Sequence, residues 1–310
     1  MAQSSIHLRV GTRGSPLALA QANMVRALLA AAHGVGESAI EIVVIRTTGD
    51  VIQDRPLADA GGKGLFTKEI EQALLDRSVD LAVHSAKDMV TFLPEGLVLT
   101  ACLAREDARD VLVSRVAKSV ADLPSGAVVG TASLRRQAQL LRLRPDLKVV
   151  PMRGNVGTRL DKLARGDADA TILALAGLKR LNKADAATAI LDTTDFLPAV
   201  GQGAIAIETR VDDETTRGLV AKINHEPTLT AITVERAFLA VLDGSCRTPI
   251  AGHASVSDGK ISFRGLIAKP DGSQAFEATR AGTVADAAAI GADAAHELKT
   301  RGGADFFAAH

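Results

Sequence analysis

Aromatic residues and net charge are both scarce in this sequence. Its 310 residues include no Trp, no Tyr and only eight scattered Phe, and 36 Lys and Arg balance 36 Asp and Glu. Single-stranded nucleic acid is usually bound on aromatic stacking platforms, and nucleic-acid-binding domains usually carry a basic excess. The composition therefore argues against nucleic acid as a partner.

Cysteine and long apolar runs are also sparse. The two cysteines, Cys102 and Cys246, cannot form a structural zinc site alone, and a disulfide is not expected in a reducing compartment. No run approaches the ~20 apolar residues that span a bilayer. The first seven residues lack the basic and apolar regions of a secretory signal. We expect a cytoplasmic protein with no metal and no membrane partner.

Strand and helix patterns alternate through the first part of the chain. Residues 6–10, 40–46 and 80–83 have strand patterns, and residues 17–32 and 67–77 have helical patterns. Ser15 and Pro16 are typical of the residues that begin a helix. This alternation predicts an α/β fold with a mostly parallel sheet.

Part of this pattern recurs further along. Residues 127–140 resemble the strand, turn and helix that begin at Val10, and residues 169–174 resemble residues 80–83. Two similar α/β domains facing each other across a cleft would explain both similarities. Chance likeness between ordinary strand-to-helix turns would explain them equally well.

The last third of the sequence has a different character. A helical pattern over 228–242 ends before Gly244, and strand patterns follow at 253–257, 261–268 and 274–279. Asp258-Gly259 and Pro270-Asp271-Gly272 are strong hairpin signals. With a closing helix over 285–298, this region predicts a small antiparallel α+β domain.

Arginines are concentrated at or beside predicted strand-to-helix turns. Parallel α/β folds bind ligands at the carboxyl ends of strands, where helix N-termini attract anions and Arg recognises carboxylates. A single Arg is more often a solvated surface charge, but six in such places predict a cleft for a ligand with several carboxylates or phosphates. They are Arg13, Arg135, Arg136, Arg153, Arg159 and Arg180.

Carboxylate groups are a better candidate than phosphate groups for the ligand of these arginines. The glycine-rich segment at residues 61–64 is not a phosphate-binding Walker loop, because no Ser or Thr follows a Gly-Lys pair. It has the pattern of a basic lid or of a plain surface loop. Because such arginines would be exposed, we expect Arg136→Ala to melt near the wild type.

A short motif, His84-Ser85-Ala86-Lys87-Asp88, follows a predicted buried strand. An ionised Asp88 could stabilise a cationic intermediate or move a proton. A helix cap or a Lys–Asp surface pair is the alternative. Adjacent strand residues point to opposite faces, which argues against a Ser-His-Asp triad and favours a structural His84.

The two cysteines have different surroundings. Cys246 lies between Gly244 and Pro249 beside Arg247, which would favour the thiolate. It is either a nucleophile or attachment point, or a small buried residue. Cys102 lies in an apolar run and is predicted to be core.

Seven stretches make the sequence resemble the porphobilinogen deaminases over nearly its whole length. In chain order they fall at residues 11–19, 61–66, 82–88, 130–136, 153–160, 197–203 and 244–246. The resemblance implies two domains similar to type II periplasmic binding proteins with a cleft between them. It also implies a small α+β C-terminal domain with a three-stranded antiparallel sheet.

The domain bounds that we expect on this basis are 1–103 with 204–222 for domain 1, 104–203 for domain 2 and 223–310 for domain 3. The resemblance implies a monomeric, cytoplasmic transferase with a dipyrromethane cofactor joined to Cys246 by a thioether. Four porphobilinogen molecules would be condensed head to tail with loss of ammonia, and hydrolysis would release hydroxymethylbilane.

The family's functional positions fall on specific residues of this sequence. Asp88 matches the catalytic carboxylate, which would face a cationic methylene-pyrrolenine once ammonia leaves. Each pyrrole carries two carboxylates, so the product chain is a polyanion. The positions that would bind cofactor and substrate are Arg13, Ser15, Asp50, Lys63, Phe66, Ser85, Lys87, Thr131, Ser133, Arg135, Arg136, Arg153, Arg159, Arg180 and Gln202.

Some positions depart from the family pattern, and other functions compete with it. Val90 and Ala108 replace common prolines, and Ala132 replaces a common serine. An anionic-solute-binding or effector-sensing protein of the same architecture would need neither Asp88 nor Cys246. A thiol-dependent acyl transferase would need a partner such as His253.

Overall fold

The computed structural model describes residues 6–51, 64–242, 248–303 and 306. Its chain divides into two compact units, one of residues 1–105 with 204–229 and one of residues 106–203 with 230–310. No helix among the described residues is long and apolar enough to cross a membrane. The three-domain division expected from the sequence remains a prediction.

The first unit is built on a five-stranded sheet in the order β2-β1-β3-β10-β4. The parallel strands β1, β2 and β3 are followed by β10, which is antiparallel to both β3 and β4. The strands are β1 (Leu8–Arg13), β2 (Ile40–Ile45), β3 (Leu81–Ser85), β4 (Leu97–Cys102) and β10 (Ile205–Arg210). The helices are α1 (Pro16–His33), α2 (Thr48–Val51), α3 (Lys68–Leu75) and α7 (Glu214–Ala221).

Helix α1 begins where the sequence predicts. The Ser15 hydroxyl accepts a hydrogen bond from the Ala18 amide at 3.3 Å, and Pro16 supplies the first helical residue. Gly34 ends the helix at φ 64°, a conformation that glycine adopts without steric cost. Val25 and Leu29 of α1 pack against Val10 in the core of the sheet.

The second unit contains another five-stranded sheet, ordered β7-β6-β8-β5-β9. Strands β6, β7 and β8 are parallel, and β5 is antiparallel to β8. The strands are β5 (Asp110–Ser114), β6 (Val128–Gly130), β7 (Lys148–Val150), β8 (Ala170–Ala174) and β9 (Ala189–Ile190). The helices are α4 (Leu134–Leu143), α5 (Val156–Arg165) and α6 (Leu175–Arg180).

A three-stranded antiparallel sheet, β11-β12-β13, belongs to the same unit. Asp258 and Gly259 both adopt positive φ in the first hairpin, as the sequence predicts. Phe238 and Phe263 lie at its centre with ring centroids 5.0 Å apart. The elements of this region are α8 (Glu226–Val241), β11 (Ile250–Ser257), β12 (Lys260–Ala268), β13 (Ala275–Thr283) and α9 (Ala287–Gly302).

The internal repeat is real and extends to hydrogen bonds. Asp80 and Asp169 precede β3 and β8, and each carboxylate accepts from a backbone amide of the neighbouring strand at 2.8 Å. Strand β10 in the first sheet and strand β5 in the second occupy the same position in the strand order, and each is antiparallel to its neighbours. The predicted fold class, two α/β sheets and a small antiparallel α+β region, is confirmed, whereas chance likeness is not supported.

Candidate active site

The carboxyl edge of the first sheet carries most of the residues predicted for domain 1. Arg13 ends β1, Asp50 lies in α2 just after β2, and Ser85 ends β3. Asp88 closes the short 3₁₀ turn Ala86–Asp88 that follows. Because β1, β2 and β3 are parallel, their ends meet at one edge, the usual ligand site of such sheets.

A pocket of ≈ 50 Å³ opens at this edge. It brings together five residues predicted from the sequence, which are Arg13, Ser15, Phe66, Ser85 and Asp88. Its remaining lining residues are Leu17, Ala18, Gln21, Thr67, Val83 and His84. A guanidinium, two serine hydroxyls, a threonine and a carboxylate therefore line one small volume.

Arg13 is held on two sides. Its Nε donates to Asp50 Oδ1 at 3.1 Å, its Nη2 donates to the same oxygen, and its guanidinium lies 4.0 Å from the centre of the Phe66 ring. Burial alone would raise the pKa of Asp50, but hydrogen bonds from Arg13 and Thr47 outweigh it and lower that pKa. Asp50 is thus an ionised partner that orients Arg13.

The segments that carry Asp50 and Phe66 pack directly on each other. The Gly49 amide donates to Leu65 O at 2.7 Å, and a Cβ at Gly49 would lie 2.4 Å from the Phe66 ring. Only glycine allows this approach. Glu69 accepts from the Thr48 amide at 2.9 Å and closes the arrangement.

Gln21 is a pocket residue that sequence reasoning missed. Its side-chain nitrogen donates to Ser85 Oγ at 2.9 Å, and it is only 2% exposed. A polar residue one turn into an amphipathic helix gives no signal beyond a break in the apolar pattern. Ser85 forms its hydrogen bond with Gln21 and not with His84. Ser85 and His84 are therefore not part of a Ser-His-Asp triad.

His84 is buried, as predicted, and its partner is distant in sequence. Its Nε2 lies 3.1 Å from Glu208 Oε2 on β10, and both side chains are at most 5% exposed. Glu71 of α3 is buried as well, and burial with the nearby Glu208 raises its pKa. By contrast, Lys87 and Asp88 are exposed at the sheet edge.

Thr131 and Ser133 form the start of α4 in the second sheet. The Ser133 hydroxyl accepts from the Arg136 amide at 3.4 Å, and the Ser133 amide donates to Thr131 Oγ1 at 3.2 Å. The helix begins directly after β6, so its free N–H groups lie at the carboxyl edge of this sheet.

Arg135 and Arg136 are buried, which contradicts the expected exposure. They are 6% and 5% exposed, and both pair with Asp110 at the start of β5. Arg136 donates to Asp110 Oδ1 at 3.1 and 2.7 Å, and Arg135 Nη2 forms an ion pair with Oδ2 at 2.8 Å. The sequence did not reveal that the two arginines share a buried partner, because Asp110 lies on an earlier strand that is distant from them along the chain.

Asp110 stays ionised in this interior. Burial would raise the pKa of its carboxyl, but the two guanidinium groups outweigh this effect and lower it to about 2. Gln202 completes the cluster by donating to Asp110 Oδ1 at 3.0 Å and to Ala108 O at 2.7 Å.

Arg153 and Arg159 are half-buried where β7 leads into α5. Arg159 Nε donates to Gly154 O at 2.9 Å. Arg153 Nη1 is fully buried and has no hydrogen-bond partner among the described residues. A buried guanidinium nitrogen without a partner is costly, so it suits a site that receives an acidic group.

Arg180 does not lie beside the predicted strand-to-helix turn. It is the last residue of α6, and its Nη2 donates to Gly203 O at 2.7 Å. Burial lowers the pKa of its guanidinium. The predicted sites at Lys63 and Cys246 lie outside the described residues, whereas Cys102 is fully buried, as predicted.

Each sheet therefore carries cationic and hydroxyl side chains at its own carboxyl edge, an arrangement typical of α/β proteins that recognise acidic ligands. Family models for "Porphobilinogen deaminase, dipyromethane cofactor binding domain" and "Porphobilinogen deaminase, C-terminal domain" match residues 8–218 and 229–300. Porphobilinogen deaminase of Nitrobacter winogradskyi is 62% identical over 305 residues, covering 98% of this chain and 96% of the relative. The chloroplastic porphobilinogen deaminase of Oryza sativa subsp. japonica is 56% identical, covering 99% and 87%.

The chain belongs to the porphobilinogen deaminase family. It is a transferase of tetrapyrrole biosynthesis with a dipyrromethane-binding domain, and a solute-binding or sensing role is not favoured. Among solved structures, the methionine-binding protein MetQ aligns with 78% of this chain and 97% of its own at 13% identity. The TM-score of this alignment is 0.46.

Proposed function

We propose that this enzyme condenses four porphobilinogen molecules head to tail, with loss of ammonia, and releases hydroxymethylbilane by hydrolysis. The observation that carries the proposal is the pocket in which Asp88 meets Arg13, Ser15 and Ser85. It combines one exposed carboxylate with groups suited to substrate carboxylates.

Asp88 would act on the pyrrole of the substrate. Departure of ammonia leaves positive charge on that ring, and a fixed carboxylate beside it lowers the energy of the transition state. The neighbouring backbone is held in place, because the Ala86 amide donates to Ala204 O at 3.0 Å. The backbone that carries Asp88 is thus fixed close to the end of β3, while the Asp88 side chain is exposed.

The remaining cationic and hydroxyl groups would bind carboxylates of the substrate and of the dipyrromethane. Arg13 is already oriented by Asp50 and Phe66, and Ser15, Ser85 and Lys87 lie at the same edge. In the second sheet we assign this role to Thr131, Ser133, Arg135, Arg136, Arg153 and Arg159. We also assign it to Lys63, Arg180 and Gln202.

These residues fit an acidic cofactor, since the buried Arg153 Nη1 lacks a partner within the described part of the chain. When bound, the dipyrromethane supplies the primer to which the first substrate is joined. We propose that Cys246 anchors it. The adjacent Arg247 favours thiolate, the nucleophilic form of cysteine.

Intact-mass spectrometry tests the anchor directly. We expect the wild-type polypeptide to carry a two-pyrrole adduct that maps to the peptide with Cys246, and a coloured product with acidic dimethylaminobenzaldehyde. Cys246→Ser should show bare polypeptide and no turnover, because a serine hydroxyl does not ionise near neutral pH. Cys102→Ser is the matched control and should keep the adduct; an adduct on Cys102 would refute the assignment.

We further propose three domains with the bounds given above, and a monomer that acts in the cytoplasm without nucleic acid or membrane. Sedimentation of the purified protein at micromolar concentration should give a single species of the chain mass, 32.2 kDa without the cofactor. A dimer would contradict this part of the proposal.

A further inference from the structure

Asp110 is a fully buried carboxylate to which no step has been assigned. It is the common partner of two consecutive arginines, Arg135 and Arg136, in the first turn of α4. One carboxylate faces two guanidinium groups, so the cluster keeps a surplus positive charge. The N-terminal end of the helix dipole adds to it. A buried cluster with unbalanced charge is stabilised by an external anion.

Arg136 offers a specific place for that anion. A guanidinium has five N–H donors, arranged so that two carboxylates can bind on different sides. Arg136 turns Nε and Nη2 toward Asp110 Oδ1, at 3.1 and 2.7 Å. Its Nη1 makes no hydrogen bond within the described part of the chain, yet it is not among the fully buried unpartnered atoms, so it retains some contact with solvent.

Besides the two arginines, Gln202 also holds the carboxylate of Asp110. Gln202 Nε2 donates to Asp110 Oδ1 at 3.0 Å and to Ala108 O at 2.7 Å. Arg135 is fixed independently, because its Nη1 donates to Leu197 O at 2.7 Å. Asp110 therefore has little freedom to move, and the side of Arg136 that faces away from it is fixed in direction.

We propose that Asp110 is a positioning residue that orients Arg136 so that its Nη1 side receives a carboxylate of the pyrrole substrate. The inference rests on the proposed function. In a merely structural role, Asp110 would affect stability but leave the affinity of the folded enzyme for carboxylates unchanged.

The test measures binding as well as turnover. The probe is a pyrrole with the two acidic side chains of porphobilinogen but no aminomethyl group, which can bind but cannot lose ammonia. Its Kd is measured by calorimetry on the full chain for Asp110→Asn, Arg136→Lys and the double variant. KM and kcat for porphobilinogen are measured in parallel.

We expect Asp110→Asn to raise Kd and KM by about tenfold, the effect of one charge-assisted hydrogen bond, while kcat falls by less than about threefold. Arg136→Lys should raise Kd similarly, because an ammonium lacks the planar fork of donors that faces Asp110 on one side and the substrate on the other. In the double variant, Asp110→Asn should add less than about twofold, since its effect passes through Arg136.

Asp146→Asn is the matched control. Asp146 pairs with Arg144 at 2.8 Å just beyond the other end of α4, and it should leave Kd unchanged. A folded Asp110→Asn protein with wild-type Kd, or effects that multiply in the double variant, would overturn the inference. If Asp110→Asn does not fold, an unchanged Kd in Arg136→Lys overturns it. Absence of turnover in the wild type would instead refute the proposed function.

Discussion

Replacing Arg136 with alanine tests the most unexpected interaction in the second unit. The side chain is 5% exposed and makes two hydrogen bonds to the fully buried Asp110. Removing one partner of a buried ion pair costs about 3–5 kcal/mol, because the other charge stays buried. Arg135 and Gln202 still contact Asp110, so we expect the lower end, about 3 kcal/mol.

Thermal unfolding gives the direct readout. At about 2–4 °C per kcal/mol for chains of this order of size, the Tm should fall by about 6–12 °C. Arg142→Ala is the control, since Arg142 lies on the same helix but pairs with Glu277 as a 47% exposed side chain. A surface pair contributes about 0–1 kcal/mol, so this variant should melt within about 4 °C of wild type. An Arg136→Ala protein that melts with the control would refute the buried pair.

The dependence of folding stability on acidic pH is an independent test of the pair formed by Asp110 and Arg136. The pKa of Asp110 is lowered from 3.8 to about 2 in the folded protein. A lowered folded-state pKa contributes stability above the unfolded value, and that stability is lost as pH falls through the folded value. Wild type should therefore lose this contribution between pH 4 and pH 2. Arg136→Ala removes one of the two cations that lower this pKa, so urea titrations of the variant should show a smaller loss of stability over the same pH range than the wild type shows.

Two further substitutions test the catalytic carboxylate and the backbone. Asp88→Asn should keep the wild-type Tm and the bound cofactor but lower kcat by about 10²-fold, because the amide cannot offset a cationic pyrrole; near-normal kcat would end that assignment. Gly203→Ala should cost about 2–4 kcal/mol in urea unfolding, because φ is 87° and the added Cβ would lie 2.4 Å from Glu106 O. Gly126→Ala, at φ 73° with open space around it, should cost about 1–2 kcal/mol, and equal losses in both variants would contradict the predicted clash.

Local features of the chain could be predicted from the sequence because their causes are local. Ser15 and Ser133 begin helices through hydrogen bonds three residues ahead, and Asp258-Gly259 needs only its own backbone to turn. The repeat was visible because equivalent strands and turns keep similar residues. The ends of α8 and of the strands differed from prediction by a few residues, as fraying ends usually do.

Pairings between distant residues could not be predicted in this way. Asp110 meets Arg136 only because β5 lies beside β8, and His84 meets Glu208 only because β10 pairs with β3. A charge pattern alone cannot separate an exposed arginine from one with a buried partner. Among the pocket residues, Arg13 and Asp88 were identified because strand ends converge whatever the interior pairing. Ser15, Phe66 and Ser85 were identified only through the family resemblance.

The return of strand β10 to the first sheet, after the whole second sheet has been passed along the chain, sets an order of completion during synthesis. All five strands of the second sheet lie between residues 110 and 190, so that sheet can close once this stretch has emerged. The first sheet waits for β10, which begins at Ile205, although its other four strands end at Cys102. Until then β3 and β4 present unpaired edges, which are prone to aggregate. The nascent chain therefore completes its inserted sheet first, and the sheet that carries Asp88 is the last of the two to become whole.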